Sequence, residues 1–158
     1  LKIINYTNSN IDENNLLFLY DVTNASPGLS LEYYDNEIYN DFFNIIEVYR
    51  NDVQLNSKLL DFSDHISKKD NEQFNFFLLI FKFILINLIK INYGSNLNNN
   101  FKSNILNSLL EISNIMNLDR CMQTLEYINN NQNNVTLYNL DKKLFILNLF
   151  STNCSEYE

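Results

Sequence analysis

Glycine occurs twice in this chain of 158 residues, at Gly28 and Gly94, proline once, at Pro27, histidine once, at His65, and tryptophan not at all. Two isolated glycines cannot make a Walker A loop or a dinucleotide fingerprint, because a backbone wraps closely around phosphate only where several residues lack a Cβ. A single histidine excludes a multi-histidine metal site. Cys121 and Cys154 lie far apart, and neither belongs to a CxxC pair, so neither a zinc site nor a disulfide framework is indicated. A reduced, cytoplasmic chain without a cofactor is the expectation. Positive charge is also scarce. The net charge is −8, and the only basic doublets, Lys68 with Lys69 and Lys142 with Lys143, are too short to attract a phosphate backbone. Direct contact with nucleic acid is therefore not expected, and the doublets read as the solvated sides of helices.

What the chain has in plenty is Asn, Ile, Leu, Lys, twelve Phe and ten Tyr, while Ala25 is the one alanine and Arg50 and Arg120 are the only arginines. That is the footprint of an AT-rich genome, in which Asn fills surface positions that better helix formers take elsewhere. The chain starts at Leu1 with no basic n-region and reads as a piece of a longer protein, with one main domain. The strongest apolar run, FFLLIFKFILINLIKI over residues 76–91, is interrupted by Lys82, Asn87 and Lys90 and is shorter than a membrane span requires. It predicts a central core helix rather than a segment in lipid.

Helical periodicity recurs elsewhere, and no segment shows sustained period-two alternation. Ile38, Phe42, Ile45, Ile46 and Tyr49 stack on one helical face, as do Phe101, Ile105, Leu109, Ile112 and Ile115, and near the end Leu140, Leu144, Leu147 and Phe150. Caps mark the boundaries. Ser9 with Asp12 opens a helix over about residues 11–23, Ser26 followed by Pro27 is an N-cap with N1 proline, Asp70 opens the apolar helix, and a left-handed Gly94 closes it. Residues 96–100 and 129–134, both Asn-rich, read as breaks, although the second is also compatible with a continuing helix.

Chemistry-bearing clusters are few. His65 has Asp61 one turn away, an ordinary surface arrangement. Glu32, Asp35, Glu37, Asp41 and Glu47 read as single solvated charges, and Asp64 with Lys68 as an i,i+4 pair. The aromatics lack the basic neighbours that a base-stacking platform uses.

Two segments are more specific. NASPGLSL, residues 24–31, follows the short helical stretch FLYDVT, and YNLDKKLFILNLF, residues 138–150, places Asn139 as an N-cap and Asp141 in the first helical turn. In their order and separation, with an apolar helix between them, they resemble the C-terminal part of the delta-prime subunit of the bacterial DNA polymerase III clamp loader. The family's usual Trp residues and Ala- and Arg-rich helices are absent here.

The resemblance implies an all-α chain, a collar-like helical bundle over residues 36–158 preceded by the end of a helical lid over 1–35. It implies a non-catalytic member of the polymerase III holoenzyme whose partners are the delta and gamma/tau subunits. Leu125, Ile128, Leu144 and Leu147, on the last two predicted helices, are the candidate interface residues. The competing reading is an unrelated soluble helical adaptor that binds other proteins.

Overall fold

A computed structural model describes residues 13–33, 38–50, 57–95, 97, 102–138 and 140–151. Every regular element among them is an α-helix: α1 (Glu13–Val22), α2 (Pro27–Glu32), α3 (Ile38–Arg50), α4 (Ser57–Ser67), α5 (Asn71–Asn92), α6 (Ser103–Ser113), α7 (Leu118–Leu137) and α8 (Lys142–Ser151). The protein is an all-α helical bundle.

The bundle is organised around α5. Its apolar residues point in nearly every direction, so burying them takes neighbours on several sides, and α1, α3, α4, α6 and α7 all pack against it. Phe74, Phe77, Ile80, Phe81, Ile84, Leu85 and Leu88 are fully buried. The helix is long and apolar enough to cross a membrane, but most of that surface is taken up inside the bundle. Asn87, a polar residue in the middle of it, is buried and satisfied locally, its side-chain amide donating to the Phe83 carbonyl at 2.8 Å. Both ends are closed as predicted. Asp70 accepts from the Gln73 amide at 2.8 Å, and Gly94, at φ 70°, lets Gly94 N donate to Ile91 O and Ser95 N donate to Lys90 O, the Schellman pattern.

The predicted face of α3 is confirmed in Phe42, Ile45, Ile46 and Tyr49, all buried; the Ile38 side chain lies outside the described residues. In α6, Ile105, Leu109 and Ile112 are buried, but the helix ends at Ser113, and Met116 takes the place in the core that Ile115 was expected to fill. Phe101, Ser9, Asp12, Asp35 and Glu37 lie outside the described residues, as does the stretch 96–100 apart from Leu97. The Asn-rich residues 129–134 do not break α7, which runs through them to Leu137. Each Asn costs well under about 1 kcal/mol in a helix, less than the gain from burying Ile128 and Val135 on either side.

α8 departs most from expectation. Its buried face is Phe145, Ile146, Leu149 and Phe150, so Leu140 and Leu144 point outward. The helix is apolar on all sides, so spacing alone allows more than one stripe, and packing on α4 and α7 decides between them. Phe150 meets Tyr49, Phe62 and Phe81 with ring centroids 5.0 to 5.9 Å apart, and Tyr127 stacks on Phe145 at 5.3 Å. The N-cap of α8 is Asp141, which accepts from the Leu144 amide at 3.1 Å; Asn139, expected in that role, is outside the described residues.

The first helices join the same core, with Phe18 edge-on to both Phe42 and Phe83 at 5.5 Å and Tyr33 stacked on Phe76 at 4.1 Å. Between α1 and α2 the chain turns through two consecutive left-handed residues, Asn24 at φ 50° and Ala25 at φ 65°. Asn tolerates that conformation, whereas Ala pays about 1 kcal/mol for it. Ser26 holds α2 through Ser30 N to its carbonyl at 3.0 Å, with only a long side-chain contact, 3.5 Å from Leu29 N. Behind the turn, the buried hydroxyls of Thr23 and Ser30 bond each other at 2.8 Å.

Several charges expected in solvent instead tie helices together. Asp41 is buried and receives both carboxylate contacts from Lys69 Nζ, at 2.8 and 3.0 Å. Lys142 Nζ donates to the Lys69 carbonyl at 2.8 Å and lies over the Phe74 ring at 5.1 Å. Lys143 pairs with Asp64 at 2.6 Å, so the direct ion pair of Asp64 reaches across to α8 rather than to Lys68, just past the end of α4. Arg50 grips Glu111 with two nitrogens, at 2.7 and 3.1 Å, joining α3 to α6.

Candidate interaction surface

The four predicted interface residues fall in different places. Ile128 is fully buried in the chain's own core, a correction to its assignment as surface. Leu125 and Leu147 are half-buried at the core's edge. Leu144 is exposed, and within seven residues before it lie three more exposed side chains, Leu140 from the expected stripe and two, Leu137 and Tyr138, that periodicity did not single out. Leu137 and Tyr138 end α7 and Leu140 precedes α8; with Leu144 they are 76%, 72%, 52% and 57% exposed. The corner between the last two helices thus carries four large apolar side chains in water. The signal in the sequence was present: these residues lie off the stripe that α7 and α8 bury, in or next to the Asn-Leu-Asp triplet.

His65 is exposed, and among the described residues no group of three His, Cys, Asp or Glu side chains converges as a metal site. Cys121 is buried, and burial pushes its thiol up to about 11, away from thiolate reactivity. Cys154 lies outside the described residues.

A half-open cleft of about 750 Å³ separates α1 and its following turn from one face of α5. Tyr20, Asp21, Asn24 and Ala25 form one wall, and Leu79, Lys82, Phe83, Ile86 and Lys90 the other. Burial raises the Asp21 carboxyl above its usual range, a shift that nearby Lys90 opposes. Burial also holds the Lys82 ammonium below the ordinary lysine range. Its Nζ donates to Gln132 Oε1 on α7 at 2.8 Å. Lys82 and Lys90 were visible in the sequence only as interruptions of an apolar run; their spacing of two helical turns places them on one face.

No protein-family model, curated protein or solved structure matches this chain.

Proposed function

We propose that this chain is a non-catalytic assembly module, comprising the end of the lid (1–35) and the collar (36–158) of a delta-prime subunit of the bacterial DNA polymerase III clamp loader. In this reading it works in the cytoplasm, touches neither nucleic acid nor membrane, and joins the collars of delta and gamma/tau subunits while other domains of the assembly load the sliding clamp. The observation that carries the reading is the exposed corner of Leu137, Tyr138, Leu140 and Leu144. It lies within or directly beside YNLDKKLFILNLF, one of the two segments on which the resemblance rests. Burying these partly exposed side chains against a partner yields about 1 to 2 kcal/mol each before the cost of association, enough to anchor a contact.

The test is size-exclusion chromatography of the chain with delta and gamma/tau collars, beside the double variant Leu137→Lys and Leu144→Glu. Each new charge suits its helix end, so the fold persists, as far-UV circular dichroism can verify. The wild-type chain is expected to co-elute and the variant to elute alone. A wild-type chain that stays separate from well-folded partners refutes the clamp-loader assignment; a variant that still co-elutes moves the contact away from this corner.

A further inference from the structure

We propose that the cleft between α1 and α5 is a binding site for an apolar carboxylate, the acid group held by Lys82 and the apolar body lying on Leu79, Phe83 and Ile86. A lysine ammonium has three protons to donate. Lys82 gives one to the neutral amide oxygen of Gln132 and makes no ion pair among the described residues, although it is half-buried and so poorly served by water. A desolvated cation without a counter-charge gains most from an anion brought to it.

The other end of the cleft differs. Lys90 lies about 12 Å further along the helix axis, and Asp21 on the opposite wall already offsets its charge. The two ends are therefore unequal, and a ligand with one negative group has one preferred orientation. Between them Ile86 is 40% exposed, with Leu79 and the buried Phe83 beside it, forming an apolar floor. The volume falls within the range of small-molecule sites. The wall opposite contains Ala25 in its left-handed conformation, and strained backbone of this kind concentrates at ligand sites.

The same chemistry exists in a short fatty acid and in the C-terminus of an apolar peptide, and the experiment separates them. The full chain, labelled with 15N, is titrated with octanoate and with octanol, and in parallel with acetyl-Leu-Phe-Leu as free acid and as amide. Saturable shifts confined to residues 20–25 and 79–90 are expected, with each acid binding about tenfold or more tighter than its neutral counterpart. The tighter of the two acids identifies the source. Lys82→Met, which keeps the aliphatic stem, and Ile86→Glu, at an exposed position, are each expected to weaken binding about tenfold. The proposal is overturned if neither acid saturates at low millimolar concentration, if the neutral compounds bind as well, or if Lys82→Met leaves affinity unchanged while the chain stays folded. The clamp-loader reading does not depend on this outcome.

Discussion

Replacing Tyr49 by Phe should make the protein more stable. The Tyr49 ring is buried against Phe150 at 5.0 Å and Phe81 at 6.3 Å, and among the described residues its hydroxyl has no hydrogen-bond partner. A buried hydroxyl without a partner costs about 1 to 3 kcal/mol relative to water. Removing the oxygen leaves a space smaller than a methyl group, which at the usual cost of cavity volume returns a few tenths of a kcal/mol. The ring contacts remain. The net expectation is about 1 to 2 kcal/mol of stabilisation, or a rise in Tm of roughly 2 to 6 °C for a chain of this size. Thermal unfolding of both proteins by circular dichroism at neutral pH measures it. The pH dependence adds an independent check. Burial pushes the Tyr49 phenol well above its ordinary value of 10.0, so the folded state keeps it protonated after the unfolded chain has begun to ionise. The wild-type protein therefore loses stability as pH rises past about 10, a loss the variant is spared, and the gap between them should widen there. A variant that melts below the wild type at neutral pH would show that the hydroxyl has a partner in solution and refute the reasoning.

Asp41→Ala leaves Lys69 without its carboxylate in a mostly buried setting; a loss of about 2 to 3 kcal/mol in urea unfolding is expected, and a loss under about 0.5 would mean that the pair is solvated. Arg50→Gln removes the partner that lowers the Glu111 carboxyl below its usual 4.5. The wild type should out-melt this variant at neutral pH, and the difference should fade as pH falls below about 4.5 and Glu111 protonates; a gap that persists unchanged to pH 2 contradicts this linkage. In a Cys154→Ser background, Cys121 should resist a thiol reagent at pH 8 until the chain unfolds, because its thiol is buried and raised to about 11; rapid labelling of the native protein would show that the α7 face opens.

Much of the fold could be read from residue spacing because its physics is local. Asp70 and Gly94 act on backbone groups within a turn of themselves, and Phe42, Ile45, Ile46 and Tyr49 share a face by helical geometry alone. The misreadings concern partners distant in sequence. Asp41 finds Lys69, Asp64 finds Lys143, and Lys142 reaches the Lys69 carbonyl only once α3, α4 and α8 have come together. The α8 stripe was ambiguous because Leu144, Phe145, Ile146, Leu147, Leu149 and Phe150 leave it almost no polar side. Choosing Ile128 as surface failed for a related reason: it occupies the one face of α7 that meets the core, with exposed Asn129 and Asn130 beyond it. The left-handed Ala25 carried no warning, since Ala ordinarily favours helix.

The pairing of α4 with α8 has a consequence for how the chain is made. Phe62 on α4 and Phe74 at the start of α5 rest against Phe150 and Phe145, residues from the last helix. During translation, α4 and the start of α5 emerge from the ribosome long before the α8 residues that cover them, and that flank stays open until α8 is released. The nascent protein is thus a natural client for a chaperone over that interval, and a stop codon placed before Lys142 should yield an aggregating product rather than a shorter soluble one.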